Sequence, residues 1–163
     1  MKTLLIVFHS RTGGTRQMAQ AAAESARIEI GAAVRVREAA EAGPEDLLAA
    51  GGYLFATPEN LAAMAGVMKD FFDRTYYPVF ERIDGRPYAS MICAGSDGHG
   101  AARQIERIAT GWRLRKVAEP IIVCTQAQTP QAILAPKTIT AADLSRCAEL
   151  GQSLAAGIAI GIW

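Results

Sequence analysis

The sequence predicts an α/β fold of the doubly wound kind. Five parallel strands in the order 2-1-3-4-5 carry helices on both faces, as one domain over residues 1–163. Three observations lead there. Short, continuous apolar runs recur along the chain, and such runs suit strands buried on both faces of a parallel sheet. Segments with helical spacing of small and apolar residues lie between them. No repeat, low-complexity linker or charge block divides the chain, whose 163 residues are the size of one ordinary domain.

The elements follow in order. Residues 4–8, Leu-Leu-Ile-Val-Phe, form the first strand. Residues 14–30 place Met18, Ala21, Ala22, Ser25, Ala26 and Ile28 on one helix face. Val34 to Arg37 alternate and suggest a more exposed second strand. Gly43-Pro44 opens a short helix with Leu47 and Leu48, because proline suits the first helical turn. Gly51-Gly52 closes it, and residues 53–56 are the third strand. Met64, Val67, Met68, Phe71, Phe72 and Thr75 mark a helix face read as core. Residues 88–94 are the fourth strand. Ala101, Ala102, Ile105, Ile108, Ala109 and Trp112 mark the next helix, and 121–124 is the fifth strand. Thr140 with Asp143 fits a capping box that starts the last helix. Its expected buried stripe is Leu144, Cys147, Ala148, Gly151, Leu154 and Ile158.

Composition narrows the function. Half of the residues are hydrophobic, which excludes a disordered chain. With 17 basic and 16 acidic residues, the net charge of +1 gives no nucleic-acid footprint. Cys93, Cys124 and Cys147 are far apart and form no metal-ligand spacing with either histidine. Each is expected to be a buried, reduced, non-catalytic thiol, as in a cytoplasmic protein. The apolar run after Lys2 is shorter than the ~7–15 residues of a signal-peptide core. The apolar stretch 154–163 falls short of the about 20 residues that cross a bilayer. The expectation is a cytoplasmic protein without a membrane partner.

In a doubly wound sheet, ligands bind beyond the carboxyl ends of the strands, at the switch point. The loops after strands one, three and four are therefore the candidates. The first reads His9-Ser10-Arg11-Thr12-Gly13-Gly14-Thr15. Hydroxyl donors and glycines sit at the start of a helix, whose free N–H groups and dipole favour an anion. The nucleotide P-loop needs a Gly-Lys pair, which this chain lacks, and G-x-G-x-x-G is also missing. The pattern Ser-x-Thr-Gly-x-Thr at 10–15 instead resembles the phosphate loop of the flavodoxin superfamily, which holds the monophosphate of FMN.

Residues 57–74 extend the resemblance. Thr57-Pro58, the Met64-x-Gly66 step and the Lys69-x-Phe71-x-Asp73 helix look like the flavodoxin-like NAD(P)H-dependent FMN and quinone reductases. This resemblance implies that Thr57, Pro58, Glu59, Asn60, Leu61 and Ala62 border the isoalloxazine ring. Relatives often carry glycine and a polar residue where this chain has Ala62 and Ala63. The loop after strand four, with Ala94, Gly95, Ser96 and Gly98, would border the pyrimidine side of the ring. His99 would face the substrate side, or simply start a helix in solvent. No catalytic side chain is expected, since the chemistry would belong to the flavin N5.

Other chemistries fit less well. Ala94-x-Ser96-x-Gly98 is near a hydrolase elbow, but the only later histidine is His99 in the same turn. A Cys-x5-Arg phosphatase loop from Cys93 would need arginine at 99. A response regulator needs acidic residues where His9 and Ser10 stand.

The resemblance therefore implies an FMN-binding oxidoreductase that takes electrons from NADPH or NADH. Its acceptor would be small: a quinone, a free flavin or another molecule. A homodimer or homotetramer is open, with Tyr76-Tyr77-Pro78 assigned to core packing ahead of a subunit contact. The alternative is a flavodoxin-type electron carrier. Carriers are typically acidic and cover the flavin with aromatic side chains, whereas this chain is near neutral and has Leu61 in that loop.

Overall fold

A computed structural model describes residues 1–163. Its strands are β1 (Lys2–Phe8), β2 (Ala32–Glu38), β3 (Gly52–Asn60), β4 (Ala63–Met64), β5 (Pro87–Ala94), β6 (Arg115–Lys116) and β7 (Ile121–Cys124). Its helices are α1 (Gly14–Ala26), α2 (Pro44–Ala49), α3 (Gly66–Val79), α4 (His99–Gly111), α5 (Pro130–Leu134) and α6 (Ala141–Ile160). The sheet order is β2-β1-β3-β5-β6, with β7 also paired to β5 and β4 to β3. The five columns follow the expected order, and every pairing among them is parallel.

Side-chain alternation along the buried strands sorts the core into two layers. Leu5, Val7, Tyr53 and Phe55 face α3 and α4, where they meet Phe71, Phe72 and Trp112. Leu4, Ile6, Phe8, Leu54 and Ala56 face α1 and α6, where they meet Met18, Ala22, Cys147 and Leu154. The first layer is aromatic, with Phe55 and Phe72 centroids 5.2 Å apart. The second is built from small residues, so α1 and α6 approach closely. A Cβ on Gly151 would run into the Ala22 carbonyl.

The structure corrects several sequence expectations. The fifth column is not one strand. β6 pairs with Pro87 and Tyr88 at one end of β5, and β7 pairs with residues 91–94 at the other. Pro120 lies in the break, where it has no N–H to offer a ladder. β3 runs on through Asn60, so Thr57 and Pro58 are strand residues paired with Ile92 and Cys93. Helix α1 stops at Ala26, which leaves Ile28 67% exposed beyond the helix end. Tyr77 is 81% exposed and is not core, whereas its neighbour Tyr76 stacks on Trp112 at 5.6 Å. Cys124 is only half-buried, at the rim where β7 ends.

The expected cap of the last helix is present in altered form. The Thr140 hydroxyl accepts from the Asp143 N–H at 3.2 Å and donates to the Asp143 carboxylate at 3.0 Å. No helix is long and apolar enough to cross a membrane.

Candidate functional site

A cavity of about 410 Å³ opens at the carboxyl edge of the sheet. It is bounded by the loops after β1, β3, β5 and β7. Thirteen of the residues singled out from sequence line it. They are Ser10, Arg11, Thr12, Gly14 and Thr15 from the first loop, Pro58, Glu59, Asn60, Leu61 and Ala62 from the second, and Ala94, Gly95 and Ser96 from the third.

The β1–α1 loop is closed by its own serine. Ser10 Oγ accepts from the N–H groups of Gly13 and Arg16, each at 3.2 Å. Gly13 sits at φ 94°, a left-handed conformation that suits glycine. It does not line the cavity; it makes the turn that aims its neighbours. At Gly14 a Cβ would lie 2.6 Å from the Cys93 sulfur, so only glycine lets this helix start settle on β5. Thr15 is 2% exposed, and its hydroxyl has no hydrogen-bond partner. A buried hydroxyl without a partner costs free energy. This one belongs to a cavity-lining residue at a helix N-terminus, where an anionic ligand oxygen would satisfy it.

The second wall is a hairpin. β3 and β4 pair Glu59 with Met64 and Asn60 with Ala63, leaving Leu61 and Ala62 as a two-residue turn. Both have positive φ, 51° and 64°. Such a turn normally takes Asn-Gly or a similar pair, because an L-residue with a Cβ is strained there. The strain is held from outside. Glu59 accepts from the N–H groups of Gly98 (2.8 Å) and Ala101 (3.0 Å), so its carboxylate caps α4. Gln104 accepts from the Met64 N–H at 2.8 Å. Gly100 packs so closely that a Cβ would strike the Ala62 carbonyl. Thr57 is fully buried and does not line the cavity. Its hydroxyl accepts from the Ala65 N–H at 3.1 Å and donates to the Pro58 carbonyl at 3.0 Å, fixing the base of the hairpin.

The third wall is the β5–α4 loop. Gly98 (φ 91°) precedes α4 and is spent on the contact with Glu59 rather than on the cavity. His99 also lies outside the cavity. Its Nδ1 is 2.7 Å from an Asp97 carboxylate oxygen, and both side chains are about two-thirds exposed. Hydrogen bonds from His99 hold the Asp97 carboxyl below its ordinary range. Of the two outcomes foreseen for His99, the geometry shows the helix-start position.

Sequence reasoning missed the fourth wall. Thr125, Ala127, Gln128, Ile133 and Lys137 follow β7, and Cys93 forms part of the floor. The signal was available, since this loop also leaves the carboxyl edge of the sheet. The Thr125 and Gln126 N–H groups donate to Ala94 and Gly95 carbonyls at 2.9 and 2.8 Å, joining this segment to the third wall. It is joined to the first through Gln17. That amide donates to Gly13 O (3.0 Å) and Lys137 O (2.7 Å) and accepts from Ile139 N–H (3.0 Å).

The titratable groups nearby are poorly suited to covalent chemistry. Burial pushes the Cys93 and Cys147 thiols up to about 11, so both stay protonated at neutral pH. Burial lowers the pKa of His9, at the end of β1; Glu38 opposes that shift, and Arg11 and Arg16 add to it. No group of three or more histidine, cysteine or acidic side chains is arranged to hold a metal ion. The cavity has a helix start and hydroxyls at one end and a hairpin at the other, with no aligned nucleophile and base.

A flavodoxin of Aquifex aeolicus is 35% identical over 100 residues, covering 61% of this chain and 54% of that protein. An NAD(P)H dehydrogenase (quinone) of Acidithiobacillus ferrooxidans is 36% identical over 95 residues, covering 46% and 48% respectively. The chain thus spans about half the length of these two relatives. A solved structure of a flavodoxin from the domain Archaea superposes with a TM-score of 0.77 at 19% identity, over 96% of this chain and 98% of that one. Residues 32–127, from β2 through the loop after β7, match the family described as NADPH-dependent FMN reductase, and the chain belongs to that family.

Proposed function

We propose that this protein is an FMN-dependent oxidoreductase that draws electrons from NADPH or NADH and delivers them to a quinone, a flavin or another small acceptor. Residues 1–163 would form one FMN-binding domain. The observation that carries the reading is the cavity itself. One end holds a partnerless buried hydroxyl, Thr15, at a helix start, and the other is bounded by the 58–62 hairpin and the 94–96 loop, with no aromatic side chain in the lining. Family membership agrees with it.

The residues present fit FMN. Ser10, Thr12 and Thr15, with the first N–H groups of α1, would hold the phosphate. The backbone of Pro58, Asn60 and Ala62 would border one edge of the ring system, and that of Ala94, Gly95 and Ser96 the other. When bound, FMN supplies two-electron redox chemistry that no side chain here offers. The chain's own part is to orient and to exclude. The hairpin, held by Glu59 and Gln104, gives the ring a fixed edge. Leu61 is fully exposed at the hairpin tip, so no aromatic side chain covers the cavity there.

The electron-carrier reading has one observation in its favour, the likeness to the Aquifex aeolicus flavodoxin. Against it, no aromatic residue lines the cavity, and the net charge is +1. Anaerobic mixing of the flavin-loaded protein with NADPH or NADH separates the two. The expected result is rapid loss of visible flavin absorbance without a partner protein, then turnover with a small quinone. A flavin that neither nicotinamide reduces would favour the carrier.

A further inference from the structure

We infer that Lys137 is the charge-neutralising residue of this site: its ammonium group holds the terminal phosphate of the flavin against the 10–15 loop and makes the site select phosphorylated over unphosphorylated flavin. The inference rests on the FMN reading above. It concerns a residue outside both the expected motif and the span that matches the family, residues 32–127.

Four observations place the charge. Lys137 is half-buried and lines the cavity. Its Nζ is 3.4 Å from Thr12 Oγ1, inside the phosphate loop. Its own N–H donates to the Thr12 carbonyl at 2.9 Å, so backbone and side chain both touch one residue of that loop. Gln17 then fixes the lysine's backbone relative to Gly13, across 120 residues of chain.

The ammonium's three hydrogen bonds, one of them the long contact to Thr12 Oγ1, all go to neutral oxygens, so its charge is not neutralised. It donates to the carbonyls of Ile133 (2.8 Å) and Ala135 (2.6 Å), and no carboxylate is paired with it. Those carbonyls close the end of the short helix α5, a task a neutral donor could perform. They leave the full positive charge uncompensated at the one place where the fold gathers anion donors. An ammonium beside a phosphate gains a charge-assisted hydrogen bond that a neutral flavin cannot supply. Arg11, on the same rim, is exposed and more strongly screened.

The test uses the full chain stripped of flavin and titrated with FMN and with riboflavin, at low and high salt. Wild type is expected to prefer FMN. K137Q retains a donor for the two carbonyls and lacks only the charge. It is expected to weaken FMN binding by about 10- to 100-fold, to leave riboflavin binding unchanged, and to flatten the salt dependence of FMN binding. K137R should restore most of the preference, which guards against misreading a folding defect, and a thermal melt of each variant checks the fold. Equal weakening toward both flavins would make Lys137 a tether only and overturn the inference. So would an unchanged FMN preference in K137Q. A wild-type protein that binds neither flavin would overturn the FMN reading itself.

Discussion

At the end proposed to take the phosphate, the cavity's first wall is assembled from contiguous residues. The loop 9–15 closes on itself through Ser10, turns at a glycine suited to its φ, and ends in a helix that presents free N–H groups. At the ring end, the hairpin tip puts leucine and alanine where glycine would be comfortable, and its shape is imposed by Glu59, Gln104 and Gly100. The first region is stable as written. The second is stable only while α4 holds it. On the FMN reading, the first end selects for the phosphate, while the second depends on the contacts with α4 that hold the hairpin.

The strongest way to break the comparison is Gly13→Asp. It adds a side chain at a left-handed position and a negative charge beside the phosphate. FMN affinity should fall by about 100-fold or more, roughly 3 kcal/mol, while riboflavin affinity falls much less. Flavin fluorescence quenching measures both, and a folded variant that purifies with full FMN would contradict the placement of the phosphate.

Thr15→Val sharpens the same point with two opposite signs. Removing the partnerless buried hydroxyl should stabilise the flavin-free protein by about 1 kcal/mol. It should weaken FMN by about 10-fold or more, because the hydroxyl is then missing when the phosphate arrives. Urea unfolding of the flavin-free form and FMN titration give the pair of values. Loss of stability without ligand would show that the hydroxyl has a partner of its own.

At the ring end, two substitutions should diverge. Ala62→Gly relieves a positive φ and should raise stability by about 0.5–1 kcal/mol. Gly100→Ala drives a methyl into the Ala62 carbonyl and should displace the hairpin. It should cost about 1–3 kcal/mol and weaken FMN and riboflavin alike. A selective loss of FMN from Gly100→Ala would mean that the two ends are not separable.

The smallest effect is an alkaline one. Cys93 beneath the phosphate end and Cys147 in the small-residue layer have thiols pushed up to about 11 from 9.0 by burial. The folded state therefore keeps protons that the unfolded chain releases. Their contribution to stability is complete below pH 9 and is lost as pH rises toward 11. Denaturant midpoints should decline across that window, and replacing both cysteines with alanine should flatten the decline. Alkylation at neutral pH should reach half-buried Cys124 first.

The first loop was legible because its chemistry is local. A buried strand, hydroxyls and glycines, and a helix start lie within fifteen residues, and backbone geometry converts that order into a closed turn with free N–H groups at the helix start. The two-sided core was legible because runs of apolar residues and helical spacing record which faces are buried, and the strand order followed from the fold class those runs imply. Gly13, Thr57 and Gly98 were expected among the cofactor-binding residues, and none of them lines the cavity. Their role is to shape the loops. That distinction depends on which way neighbouring segments press.

The hairpin at 60–63 and the fourth wall were decided only by tertiary structure. Nothing local favours a Leu-Ala turn; it exists because a carboxylate 39 residues from Gly98 and an amide 40 residues from Met64 hold it there. Lys137 reaches Thr12 across 125 residues, through an irregular stretch with no periodicity to read. A sequence records the contacts that a chain makes with its own neighbours along the backbone. The contacts that aim a lysine at a distant loop cost ordering entropy and are repaid only once the sheet has brought the four loops to one edge.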